Sequence, residues 1–207
     1  MNKALDLLTQ TGAILPNDHF VGTSGRHFDT YINKDALYPH TEATSEMGKL
    51  FAEKNKDLNI DVVAAPAMGG IILSTWTAHH LTILKNKEIL GIYTAKDSES
   101  NQVFTRGYDK YVQGKNVLVI EDLTQTGGSV KKVVDTVRNA GGNVVQVCVM
   151  VNKDPEVINS DFITAPFSSL ADLKVDSYEA ADCPLCQKNI PVNTTVGHGK
   201  KFLEGMK

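Results

Sequence analysis

Val117-Leu-Val-Ile-Glu-Asp-Leu-Thr-Gln-Thr-Gly-Gly-Ser129 is the stretch that decides how this chain folds. Val117 to Ile120 form a short apolar run with the β-branched content of a buried strand. Two acids follow, Glu121 and Asp122, and then a loop of hydroxyls and glycines, Thr124, Gln125, Thr126, Gly127, Gly128 and Ser129. Directly behind the loop, Val130, Val133, Val134 and Val137 fall at i, i+3, i+4 and i+7, the apolar face of a helix that Gly141-Gly142 ends. A strand feeding a helix through a glycine turn is the repeating half of a βαβ unit.

Working outward, the same alternation recurs on both sides. Ile60 to Ala65, Ile89 to Tyr93 and Asn143 to Val151 read as strands, Ile71 to Leu84 as a helix, and Phe162 to Ala165 as a candidate further strand. Towards the amino terminus, residues 1–11 read as a helix stopped by Gly12. Residues 13–40 read as loops with a short strand around Tyr31, and a helix is expected from about Glu42 to Lys56 with Met47, Leu50 and Phe51 on one face. Strands alternating with helices specify an α/β fold, a parallel sheet flanked by helices. The 207 residues suit one domain, 1–207, in which residues 1–40 and about 172–207 are hood or lid segments.

Composition narrows the function classes. Apolar residues make up 42% and charged residues 22% of the chain, as expected for a globular protein, and a net charge of −3 gives no nucleic-acid surface. No apolar run approaches the roughly 20 residues of a membrane-spanning helix, and the start lacks the apolar core of a signal peptide, so a cytoplasmic location is expected. The three cysteines, an odd count, argue against a disulfide framework. Cys148 reads as a small buried hydrophobe.

The loop 124–129 has the makings of an anion cradle. Its glycines let the backbone turn tightly, the helix start contributes amides without intrahelical partners and the positive dipole end, and Thr124, Thr126 and Ser129 add hydroxyls. It also falls at the carboxyl end of a parallel strand, where open α/β sheets bind ligands. Two carboxylates beside an anion site make sense if they hold sugar hydroxyls or a Mg²⁺ ion on the same ligand, or face positive charge developing on a sugar ring. Neither Gly-x-x-x-x-Gly-Lys-Ser/Thr nor Gly-x-Gly-x-x-Gly after a strand is present. Leu8-Thr-Gln-Thr-Gly12 repeats the letters of Leu123 to Gly127, but no strand or acid pair precedes it.

Residues 117–129 resemble the signature of the type I phosphoribosyltransferases, which transfer ribose 5-phosphate from phosphoribosyl diphosphate to a nitrogen base with Mg²⁺. The resemblance implies that fold with a small hood from both ends of the chain. It implies that residues 124–129 hold the 5-phosphate and that Glu121 and Asp122 hold the ribose hydroxyls. Gln125 stands where many members have threonine. Within the family the chain is most similar to the orotate phosphoribosyltransferases. His19-Phe-Val-Gly-Thr-Ser-Gly-Arg-His27, with Tyr31 and Lys34, resembles their substrate hood, so Thr23, Ser24, Gly25, Arg26 and Lys34 are candidate base contacts. Ala67, Met68, Gly69 and Gly70 resemble the diphosphate loop. Lys96 begins the segment corresponding to the mobile basic loop, and Lys96 and Arg106 are its candidate diphosphate contacts. A homodimer, with the 94–112 loop reaching the partner's site, is implied as well.

Three departures bear on the base. Ser98-Glu99-Ser100-Asn101-Gln102 is polar or acidic where the family loop is basic, Thr23 replaces a common lysine, and Asn152-Lys153 replaces a common Asp-Arg. Lys153 keeps the positive charge but not the planar fork that matches a carboxylate. Orotate is the leading base; a salvage enzyme for another pyrimidine or purine, and a non-catalytic sensor of phosphoribosyl diphosphate or a nucleotide, are the alternatives.

Cys183-Pro-Leu-Cys186 resembles the tail of a subset of orotate enzymes and has metal-ligand spacing, with His198 downstream. A zinc site needs four ligands and no second cysteine pair exists, so reduced thiols packing a tail loop are favoured over zinc bound by Cys183 and Cys186. His79 and His80, adjacent on a helix, face different ways and are not expected to share a metal. The tail Val196 to Phe202 reads as a solvated terminus rather than a lid.

Overall fold

A computed structural model describes residues 2–22 and 24–205. Helix α1 (Lys3–Gln10) starts on Asn2, whose side chain accepts from the amides of Ala4 and Leu5, and the chain then turns at Gly12 (φ 69°). Four two-residue strands follow: β1 (Ile14–Leu15), β2 (Phe20–Val21), β3 (His27–Phe28) and β4 (Tyr31–Ile32). β1 pairs with β4 and β2 with β3, both antiparallel. The strand at Tyr31 was expected; the other three are too short to show a period.

The layered body comes next, with α2 (Thr41–Lys54), β5 (Val62–Pro66), α3 (Gly69–Lys85), β6 (Leu90–Lys96) and β7 (Gln102–Val103). It continues with β8 (Asn116–Thr124), α4 (Gly128–Asn139), β9 (Asn143–Asn152), α5 (Ser160–Ile163) and β10 (Phe167–Asp172). The carboxyl segment carries the short α6 (Pro184–Gln187) and α7 (Gly199–Gly205). One six-stranded sheet runs β10-β9-β8-β5-β6-β7, parallel throughout except for β7.

Alternation along the central strands builds two cores. Leu118 and Ile120 of β8, Val63 and Ala65 of β5, and Cys148 and Met150 of β9 face a core closed by α2, α3 and α1. Val117 and Val119, Val62 and Ala64, and Val147 and Val149 face the other, closed by the four valines of α4. These strands are apolar at every position because both faces are covered.

Two expectations need correction. Phe162 to Ala165 does not form a strand: Asn159 accepts from the amides of Asp161 and Phe162 and starts α5 instead. Thr164 ends that helix in the left-handed region (φ 62°), and the sixth strand begins at Phe167. The central strand also does not stop at Ile120. Pairing with β9 continues to Thr124 opposite Asn152, so both acids lie within β8.

Leu118 is fully buried in the larger core. Leu118→Ala should lower the unfolding free energy by about 2–5 kcal/mol, measured by urea denaturation. A loss below about 1 kcal/mol would show that this core is not packed as described.

Candidate active site

After β5 the chain goes to β6 on one side, and β8 lies on the other. The carboxyl ends of β5 and β8 are therefore neighbours at a topological switch point. The loop after β5 is Ala67 to Gly70, its Ala67–Met68 peptide cis, and the loop after β8 is Gln125 to Gly127.

The second loop is built by its own residues. Gly127 adopts φ 67° as the N-cap of α4, and its N–H donates to the Thr124 hydroxyl at 3.1 Å. A Cβ at Gly127 would lie 2.6 Å from the Phe162 ring, so a side chain is excluded both by space and by backbone. No side chain caps α4, which leaves its first-turn amides available to an anion. Residues 124–130 line one end of a cleft of about 360 Å³, with Glu121 beside them.

Strand alternation sends the two acids to opposite faces. Glu121 shares the α4 side with Val119, where the Ser129 hydroxyl donates to it, and its Oε1 accepts from the Asp122 amide at 3.1 Å. Asp122 turns to the other side, where its Oδ2 accepts from the Tyr38 hydroxyl at 3.2 Å and pairs with Lys34 Nζ at 3.0 Å. Its Oδ1 accepts from the Leu123 amide at 2.6 Å. Gly69 closes this arrangement: a Cβ there would stand 2.5 Å from Asp122 Oδ2. The diphosphate-type loop thus packs directly on the second acid.

The electrostatics differ accordingly. Burial, and then the Asp122 charge, hold the Glu121 carboxyl well above the usual carboxylate range. Burial works against the Lys34 ammonium, but Asp122, Asp35 and Glu121 more than offset it and raise its pKa. Burial and the Asp122 charge likewise push the Tyr38 phenol up, keeping it a hydrogen-bond donor.

At the other end of the cleft stands Lys153, nine-tenths buried just beyond β9. Its Nζ donates to Gln125 Oε1 at 3.0 Å and lies 5.0 Å from the centre of the Phe28 ring. Burial pushes its pKa down. Phe28 and Tyr31 stack at 6.1 Å with only 7° between their planes, and both line the cleft from the hood.

The remaining candidates are distributed unevenly. Thr126 and Ser129 lie on the phosphate loop, whereas Thr124 spends its hydroxyl closing the turn. Arg26 reaches the cleft, but its guanidinium is held by Ser177 at 2.9 Å from Nε and by Glu179. Ser24 lines the cleft, Gly25 turns the hairpin at φ 79°, and Thr23 lies outside the described residues. Lys34 joins the acid pair rather than the base end. Lys96 and Arg106 are exposed at the sheet edge and do not line the cleft. Between them Asp97 accepts from the amides of Glu99 and Asn101, folding residues 97–101 into a tight turn that Lys132 ties to α4 through the Ser100 carbonyl. Met68 is exposed beside Gly69. Cys183 and Cys186 meet His19 and His27 in the hood, away from the phosphate loop. Tyr38 and Phe28 were not foreseen; a lone aromatic in an irregular segment has no pattern that marks it.

Residues 33–180 match the family described as phosphoribosyl transferase domain. The chain is 35% identical over 190 residues to an orotate phosphoribosyltransferase of Thermoanaerobacter sp. (strain X514), covering 92% of this chain and 94% of that one. It is 33% identical over 197 residues to the orotate phosphoribosyltransferase of Thermotoga maritima, covering 95% and 98%. Among solved structures, an orotate phosphoribosyltransferase of Mycobacterium tuberculosis H37Rv in complex with Fe(III) dicitrate superposes with a TM-score of 0.64 at 24% identity, covering 84% of this chain and 97% of that one. The chain belongs to the phosphoribosyl transferase family and, within it, to the orotate phosphoribosyltransferases.

Glu121 makes a prediction about pH. The unfolded chain ionises it near the ordinary glutamate value of about 4.3, while the folded chain keeps its proton to higher pH. Wild-type stability should therefore fall relative to E121Q as pH rises through that value. Thermal unfolding of the ligand-free protein should show E121Q the more stable at neutral pH, with the gap closing towards about pH 4. A wild type that is the more stable at neutral pH would contradict the burial described here.

Proposed function

We propose that the chain transfers ribose 5-phosphate from phosphoribosyl diphosphate to orotate, releasing diphosphate. The observation that carries this reading is the pairing of two unlike ends in one cleft, an amide-and-hydroxyl cradle at 124–130 and a buried ammonium beside stacked aromatics at Lys153, Phe28 and Tyr31. The first suits a terminal phosphate. The second suits a flat, anionic base, and orotate is a pyrimidine that carries a carboxylate. The named relatives support the same assignment.

In this reading the ring nitrogen of the base attacks the anomeric carbon as the diphosphate leaves, and positive charge develops on the ribose. Glu121 lies between the two ends of the cleft, so its ionised form gains most when positive charge arrives beside it. Asp122, fixed by Tyr38, Lys34 and the Leu123 amide, holds the far side of the sugar and the position of the 67–70 loop. Without a protein nucleophile, the rate gain comes from positioning and electrostatics.

The donor set also fits Mg²⁺. Oxygen ligands are present as the Glu121 carboxyl and the hydroxyls of Thr126 and Ser129, yet among the described residues no group of three or more carboxylates or imidazoles converges there. A magnesium ion would be held mainly through substrate oxygens and water, and when bound would neutralise the diphosphate. Lys96 and Arg106, exposed on the β6–β7 edge, would serve the diphosphate of a partner subunit in a homodimer. A cytoplasmic setting completes the proposal; among the described residues no helix is long and apolar enough to cross a membrane.

The test is diphosphate release with Mg²⁺, phosphoribosyl diphosphate and a panel of bases. Orotate should be the preferred acceptor, and a chelator should abolish turnover. Release with another base in preference to orotate would make this a salvage enzyme, and tight binding of phosphoribosyl diphosphate without release would make it a sensor. Lys153→Ala should raise KM for orotate about tenfold or more while leaving KM for phosphoribosyl diphosphate nearly unchanged, because one charge-assisted contact is lost. Asp122→Asn should lower kcat about a hundredfold with the circular dichroism spectrum unchanged.

A further inference from the structure

The hood holds a cluster that the transfer reaction does not use. His19, just before β2, and His27, in β3, come from the two sides of one hairpin; Cys183 and Cys186 flank the first turn of α6. Their ligand atoms, His19 Nε2, His27 Nδ1 and the two Sγ atoms, all lie within 4.8 Å of one another. We propose that these four residues form a structural zinc site that fastens the amino-terminal hairpin to the carboxyl-terminal segment.

Three independent observations carry this. The first is spacing. Tetrahedral zinc with Zn–S near 2.3 Å and Zn–N near 2.0 Å places nitrogen and sulfur about 3.6 Å apart. Here Cys186 Sγ lies 3.4 Å from His27 Nδ1 and 3.8 Å from His19 Nε2, and Cys183 Sγ lies 3.8 Å from His19 Nε2. The two ring nitrogens, 2.7 Å apart, have to open by only about 0.6 Å to take their own edge of the tetrahedron.

The second is the outer hydrogen bond. His19 Nδ1 is 2.7 Å from the Ile190 carbonyl, which can only accept, so the ring carries its proton there. The Nε2 lone pair then points into the cluster. This backbone-carbonyl support is the arrangement that orients metal-binding imidazoles. The third is burial: His19, His27 and Cys183 are almost wholly enclosed, and His27 Nε2 has no hydrogen-bond partner. Three enclosed groups of this chemistry, drawn from both ends of the chain, gain from a cation that takes all their lone pairs at once.

The donor set selects the metal. Two thiolates and two imidazoles in tetrahedral reach suit Zn²⁺, and four protein ligands leave no open position for chemistry. Binding displaces the two thiol protons. The missing ligands that made zinc the lesser reading of Cys183-x-x-Cys186 are thus histidines at the opposite end of the chain. His198, nearer in sequence, is not one of the four.

The hairpin that zinc would hold carries Ser24, Arg26 and Phe28 into the cleft. The site therefore supports the base end without touching the phosphate loop. The test is independent of which base is used. Untagged full-length protein, incubated with Zn²⁺ and desalted, should retain about one zinc per chain by mass spectrometry, and C183S/C186S should retain almost none. Replacement by Co²⁺ should give the visible bands of a tetrahedral ion together with thiolate-to-metal charge transfer. Stripping zinc from wild type should lower Tm, and adding Zn²⁺ back should restore it. Wild type that retains less than about a tenth of an ion per chain, or that yields a Cys183–Cys186 disulfide under the same conditions, overturns the proposal whatever the variant does.

Discussion

Two adjacent carboxyls on the central strand of a sheet are an expensive arrangement, because each must lose water and neither can screen the other. Much of the architecture around the site meets that constraint. Alternation separates Glu121 from Asp122 across the sheet. The α4 face receives the first with the Ser129 hydroxyl, and the α3 face receives the second with Tyr38 and Lys34. The absence of a side chain at Gly69 lets the loop after β5 close against Asp122. The relative position of the two anion-binding loops is thus fixed through one carboxylate. A change at Tyr38, Lys34 or Gly69 acts on the site through Asp122.

The asymmetry gives the two acids different work. Asp122 is neutralised by Lys34 and fixed by a phenol and an amide, so it is suited to holding geometry. Glu121 has no cation beside it and leans towards its neutral form. Its charge becomes favourable when positive charge appears in the cleft, which is a property of the reacting sugar rather than of the resting protein.

What was legible in the sequence follows the range of the interactions. The sheet, α4 and the phosphate loop rest on contacts within a few residues or on strict period, and Val117 to Val137 announced them. The extension of β8 to Thr124 depends on pairing with β9, so the acids read as loop residues although they lie in a strand. Phe162 was read as strand because the Asn159 cap outweighs its β preference and no periodic signal records a cap of that kind. Tyr38, Phe28 and the destination of Lys34 rest on contacts across the fold, with Tyr38 reaching an acid 84 residues away. The histidine ligands stood in plain view within the hood motif. Their link to the cysteines spans more than 150 residues, and no spacing rule reaches that far.

The same division separates the two halves of the reaction. The sugar-phosphate half stands on the central strands, where both faces are packed and each loop is set by its own residues. The base half stands on two-residue strands and single turns, with little apolar area to hold them; only Phe20, Phe28 and Val175 form a buried cluster there. A hairpin of that size is marginal by itself. Arg26 with Ser177 and Glu179, the bridge between His27 and Tyr178, and the His19–His27–Cys183–Cys186 cluster all tie it to the carboxyl-terminal segment. Base recognition therefore depends on cross-links between the chain's two ends, so changes in that segment, far from Lys153 in sequence, should alter affinity for the base before affinity for the sugar phosphate.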